Sequence, residues 1–122
     1  WAGKWAARVD DALSWLPARL TALLIALPAM GRGWSAVAAN AGLTPSPNGG
    51  WPMGALAVGL GIRLGKPGVY QLNGQGRAPR ATDTARALRR CGQVVAVLAW
   101  LPQVRAEQLR RSFAFGASDN PV

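Results

Sequence analysis

"SPNGGWPMGALAVGLGIRLGKPGVY", Ser46–Tyr70, opens as a tight loop, continues as a glycine-rich apolar run and closes on a Gly-Lys pair. Three readings compete: a nucleotide cradle, a membrane packing segment, and part of a larger catalytic surface. The cradle fails on its chemistry. A phosphate loop needs G-x-x-x-x-G-K-[ST], but Gly59 stands six positions before Gly65 rather than five, and Pro67 replaces the hydroxyl residue. The Gly-Lys pair also follows a predicted helix instead of opening one, so it meets the negative end of the dipole. Pro47, Gly49 and Gly50 carry turn chemistry. A helix is predicted from Pro52 to about Leu64, with Gly65 just past its end and Pro67 blocking its continuation. Small residues recur at four-residue spacing, as in Gly50/Gly54, Ala55/Gly59 and Ala57/Gly61. Each helical glycine costs up to about 1 kcal/mol relative to alanine, so close approach of a neighbouring helix is expected to offset it.

Upstream, Ala12–Met30 is apolar apart from Ser14, Arg19 and Thr21. As a helix its 19 residues would span about 28 Å, marginal for a hydrocarbon core of about 30 Å. Pro17 is expected to kink it and Arg19 to snorkel toward an interface. A buried helix of a soluble protein fits the periodicity equally well. Gly31–Thr44 reads as a polar break with a short helix around Ser35–Asn40. Val69–Leu72 reads as a short strand turned by Asn73-Gly74. Thr82 or Asp83 is expected to cap a helix over Thr84–Pro102 that passes from basic to apolar. The polar tail 103–122 is expected to be loosely ordered after Phe115.

Composition narrows the classes. The 122 residues suit one domain. Half are apolar and 16% are charged, below the roughly 25% of soluble domains. With 14 Lys/Arg against 5 Asp/Glu the net charge is +9, which suits an anionic membrane surface, nucleic acid or anionic substrates. Residues 31–90 hold eight of the cations and one acid. By the positive-inside tendency this loop would be cytoplasmic if the apolar segments on either side cross a membrane. One cysteine, Cys91, and no histidine exclude a disulfide framework, thiolate metal sites and Ser-His-Asp catalysis within this chain. Trp1–Val9 lacks the apolar core of a signal peptide, and a start at Trp1 leads us to expect a fragment or processed product. Trp15, Trp34, Trp51 and Trp100 border apolar stretches, as an interfacial belt or as core packing.

"AARVDDALSWLPARLTALLIAL" (6–27) followed by "SPNGGWPMGALAVGLGIRLGKPGVYQLNGQGRAP" (46–79) resembles the C-terminal part of the adenosylcobinamide-phosphate synthase family of cobalamin biosynthesis. The specific pieces are Asp10-Asp11, "LPARLTALL", "SPNGGWP", "LGIRLGKPGVY" and Gly76-Arg77, in that order and together covering roughly residues 5–88. The family's N-terminal membrane helices and an Asn-Thr-containing loop have no counterpart here, Gly49 stands where alanine is common, and the tail from Gln103 matches nothing in it. The resemblance implies an all-α, polytopic membrane-protein fragment of three or four helices with a long polar loop. Residues 1–102 would be the family part and 103–122 the tail. Its location would be the bacterial cytoplasmic (inner) membrane, in contact with lipid, with an N-terminal segment of the enzyme as partner.

The implied activity joins aminopropanol, or its phosphate, to a carboxylate of adenosylcobyric acid at the expense of ATP, with magnesium; the corrinoid is a substrate. Asp10 and Asp11 would be catalytic and bind the metal, as hard oxygen ligands, or else serve a helix N-terminus. Arg19 would be catalytic. Ser46, Asn48, Arg63, Lys66, Tyr70 and Arg77 would bind substrate, although Ser46 and Asn48 also suit a turn and Arg63 and Lys66 a helix C-terminus. The alternatives are an inactive membrane remnant of that enzyme and a basic nucleic-acid-binding module using Arg77–Arg90. Nucleic acid is the weaker expectation, because the basic helix turns apolar after Cys91 and carries no recognised motif.

Overall fold

A computed structural model describes residues 1–28 and 33–117. The expected end of the apolar run at Met30 and the break at Gly31 lie outside the described residues, as does the tail from Ser118. In order, the elements are α1 (Ala2–Ala26), α2 (Trp34–Ala41), α3 (Gly50–Leu60), β1 (Leu64–Lys66), β2 (Tyr70–Leu72) and α4 (Ala81–Ala117).

α3 is the hub, packing on α1, α2 and α4. It is apolar all round, which suits a helix enclosed by neighbours. Its glycines let those neighbours come close: a Cβ on Gly50 would overlap the Ala41 carbonyl oxygen, and one on Gly54 would lie 3.3 Å from Val37 O. Pro52 falls in the first turn, where its missing N–H leaves no helical bond unmade. The helix stops four residues earlier than the sequence suggests, at Gly61. There φ is 66°, Ile62 N–H donates to Ala57 O and Gly61 N–H to Val58 O, the paired bonds of a Schellman cap.

The freed residues 64–66 form a strand instead of helix. β1 pairs antiparallel with β2, Leu64 opposite Leu72 and Lys66 opposite Tyr70. The connection is a turn with Pro67 then Gly68 (φ 74°) in its centre and a Val69 N–H to Lys66 O bond of 3.0 Å, the residue order of a type II turn. Ala22, Ile25, Val37, Ala55, Val58 and Val94 make the core, and Leu72 anchors the hairpin beneath it, fully buried.

The expectation of a polytopic all-α membrane fragment is corrected. The described residues form four helices and a two-stranded sheet, and no helix among them is long and apolar enough to cross a membrane. α1 has 25 residues, enough for about 37 Å, but Lys4, Arg8, Asp10, Asp11 and Arg19 interrupt it. α4 is longer still, at 37 residues, and runs through Pro102 to Ala117. Its apolar part lies between Arg90 and Arg105, too few residues for a bilayer core of about 30 Å.

Candidate functional site

Two clusters gather the residues singled out by the sequence. The first joins α1 to the loop before α3. Arg19, half-buried on α1, sets its guanidinium carbon 4.1 Å from the Trp15 ring centre and 4.8 Å from that of Trp51. Its Nη1 donates to Trp15 O at 2.9 Å and to Asn48 Oδ1 at 3.2 Å. Asn48, 6% exposed, donates through Nδ2 to Asp11 O at 2.8 Å. Ser46 Oγ accepts from the N–H groups of Asn48 (3.4 Å) and Gly49 (3.1 Å), and Thr44 Oγ1 donates to Ser46 O at 2.9 Å. Arg19, Ser46 and Asn48 are thus tied into holding the loop on α1. Trp34 stacks on Trp51 with ring centres 5.5 Å apart, extending the aromatic wall.

Asp10 and Asp11 sit in the body of α1, not at its start, so neither caps it. As successive helical residues they point about 100° apart. Asp10 is exposed, while Asp11 is half-buried on the side where its carbonyl meets Asn48. Among the described residues no group of three or more His, Cys, Asp or Glu side chains gathers to hold a metal ion.

The second cluster is the hairpin. Arg63, Lys66, Pro67, Tyr70, Gln71 and Pro79 line a shallow groove of about 570 Å³. No ion pair or side-chain hydrogen bond within the described residues occupies the Arg63 or Lys66 side chain, and both residues are exposed. Gly65 lets the strands close, since a Cβ there would lie 2.5 Å from Tyr70 O.

Arg77 joins the foot of the hairpin through its backbone, while its side chain turns to α4. It grips Asp83 through two bonds, Nη1 to Oδ2 at 2.6 Å and Nη2 to Oδ1 at 2.7 Å. Asp83, 2% exposed, also accepts from Arg80 N–H at 2.8 Å, the return half of a capping box on α4, and Arg86 approaches to 3.7 Å. The Arg77 side-chain bonds, then the Arg80 backbone bond, hold the Asp83 carboxyl well below the usual carboxylate range. Arg77 N–H in turn bonds Gly61 O, and Arg63 N–H bonds Arg77 O, so the α4 start is locked to the foot of the hairpin.

Sequence reasoning missed the partners rather than the residues. Trp51 meets Arg19 from 32 positions away, and Asn73 (φ 49°), read as turn chemistry, donates through Nδ2 to Ala57 O and Ile62 O. Asn40 Oδ1 accepts from Asn73 N–H, linking α2 to the hairpin. The Asn-Gly pair was the only signal of that bracket.

The profile of the CobD/Cbib protein family matches residues 1–100, and the chain belongs to that family. A probable cobalamin biosynthesis protein CobD of Methanothrix thermoacetophila is 41% identical over 98 residues, 78% of this chain and 31% of that protein. The cobalamin biosynthesis protein CobD of Rhodobacter capsulatus is 42% identical over 95 residues, 69% of this chain and 30% of that protein. A probable CobD of Thermococcus kodakarensis is 45% identical over 87 residues, 71% and 28% respectively. The chain therefore spans about three tenths of the curated relatives it matches. These similarities assign it a role in cobalamin biosynthesis. No solved structure is similar to it.

Proposed function

We infer that this chain is the C-terminal part of a ligase that joins aminopropanol, or its phosphate, to a carboxylate of adenosylcobyric acid at the expense of ATP. The observation that carries the reading is the pair of cations, Arg63 and Lys66, that line one groove within the family-matched residues and have no side-chain partner among the described residues. Every reactant but free aminopropanol carries an anionic group, and cations fixed by a hairpin stabilise phosphate or carboxylate without reorganising. In this reading Arg63 and Lys66 hold the anionic group, and Tyr70 offers a hydroxyl beside them. Arg19, Asn48 and Ser46 act one step back, by fixing the loop against α1. Magnesium, when bound with ATP, offsets phosphate charge, and Asp11 is the residue of this chain suited to contact it. The amide forms between the carboxyl carbon and the amine nitrogen, and the elements of water so released are taken up by cleavage of an ATP phosphoanhydride bond, the proton of the amine going to solvent.

Complementation tests this. The chain, alone and joined to the N-terminal portion of the Rhodobacter capsulatus relative, is expressed in cells lacking their own synthase. Growth that depends on amide formation is expected from the joined form. No growth, with the protein present at normal level, would leave the inactive-remnant reading.

A further inference from the structure

Arg77 and Asp83 make a contact larger than a helix start needs. One acceptor for an orphan N–H caps a helix, and Arg80 N–H already donates to Asp83 Oδ2 at 2.8 Å. The same carboxylate also takes both arms of the Arg77 fork, at 2.6 and 2.7 Å. Asp83 is the one acid buried among the described residues, at 2% exposure. Burying a carboxylate is costly, and its partners here offset that cost only while all of them stay in place.

Those bonds close residues 77–80 on a single carboxylate, from the Arg77 side chain at one end to the Arg80 N–H at the other. Pro79, inside the loop so closed, lines the hairpin groove. The backbone of Arg77 clasps the residues that lead into β1. Its N–H donates to Gly61 O at 3.2 Å and its O accepts from Arg63 N–H at 2.9 Å, a parallel bridge centred on Ile62. Gly76 lets the clasp close, because a Cβ there would lie 2.6 Å from the Ile62 carbonyl carbon. One cation and one wall of the groove are thus fixed through the Arg77 main chain, and Asp83 fixes the Arg77 side chain. Lys66 is held differently, by its pairing with Tyr70 in the hairpin.

We propose that Asp83 is a positioning residue of the hairpin groove: through Arg77 it sets where Arg63 and Pro79 stand, and so how tightly the groove holds an anionic group. The proposal rests on the reading of Arg63 and Lys66 as the anion-holding cations. Asp83 is buried and does not line the groove, so it acts on a ligand there only through its partners.

The chain joined to the N-terminal portion of the Rhodobacter capsulatus relative is titrated by calorimetry, a test that needs no turnover. ATP with magnesium, adenosylcobyric acid and aminopropanol phosphate are added in turn. Arg63→Gln identifies the ligand held by the groove, by raising its Kd about tenfold. Asp83→Asn is expected to raise the Kd of that same ligand about fivefold or more, with stoichiometry unchanged. Added to Arg63→Gln it raises Kd by less than about twofold, because the two residues act in one chain of contacts. Arg77→Lys, which keeps Asp83 and its bond from Arg80 N–H, is expected to shift Kd the same way and replaces Asp83→Asn if that variant does not fold. A role in folding alone lowers the stoichiometry and leaves Kd as it was; that result would overturn the proposal. Full multiplication of the two effects in the double variant would also overturn it. Tighter binding by Asp83→Asn would do so too, showing that Asp83 withholds Arg77 as a ligand. If no ligand binds, or Arg63→Gln changes no Kd, the groove reading falls and the proposal with it. If Arg63→Gln acts and Asp83→Asn does not, the proposal alone falls.

Discussion

Arg19 and Asp83 show how one charged side chain can be spent on architecture. Arg19 lies over two indole rings and bonds Asn48, contacts that a planar guanidinium makes and an ammonium makes poorly. Arg19→Lys is therefore expected to destabilise the fold by about 1–2 kcal/mol, measured by chemical denaturation. Asn48→Ala should cost about 1–3 kcal/mol, because it removes the bonds to Asp11 O and from Arg19 that hold the loop on α1 in a half-buried setting. Asp83 makes a pH prediction. Its folded carboxyl titrates well below the unfolded value near 3.9. Its stabilisation is thus complete above about pH 4 and is lost as pH falls further, toward the folded value. Asp83→Asn should remove that part of the acid limb, so that variant and wild type converge in stability at low pH. A constant gap between them down to the acid transition would contradict the assignment.

At the scale of elements, α3 and the hairpin are where sequence and structure part company. The small-residue spacing correctly pointed to close packing, because a glycine's lack of Cβ is a local property with a direct steric result. Gly50→Ala is expected to lower the thermal midpoint, by about 1–3 kcal/mol of stability, since the methyl would press on the Ala41 carbonyl. The helix end was misread because both Gly61 and Gly65 suit a stop, and only the Schellman bonds of Gly61 and Ile62 decide between them. β1 was hidden for the same reason: Leu64–Lys66 is a strand only because Tyr70–Leu72 pairs with it. The hairpin groove makes its own prediction. Arg63→Gln and Lys66→Gln should each weaken binding of an anionic substrate about tenfold, the worth of one charge-assisted hydrogen bond, while leaving the helical signal in circular dichroism unchanged.

For the whole molecule, the family was legible because its short motifs lie in a fixed order along the chain, and the matched residues 1–100 enclose all of them. The architecture was less so. The marginal apolar run fitted a membrane crossing and a buried helix equally well, and the resemblance brought the membrane expectation, whereas no described helix is long and apolar enough to span one. Of the candidate site, residue types were visible but their division of labour was not. Arg19, Asn48 and Arg77 resemble substrate ligands in sequence and are found bonded to the protein itself, a distinction that depends on contacts across 29 and 6 positions. What remains free, Arg63 and Lys66 on the hairpin, carries the functional account.

The measurement that tests that account most directly is amide formation by the chain joined to the N-terminal portion of the Rhodobacter capsulatus relative. Adenosylcobyric acid, ATP with magnesium, and aminopropanol phosphate are supplied, and the corrinoid product is followed by mass. The account predicts ATP-dependent product, reduced about tenfold or more by Arg63→Gln with Lys66→Gln at subsaturating substrate. Product formation unchanged by the double substitution, or formed without ATP, would contradict it.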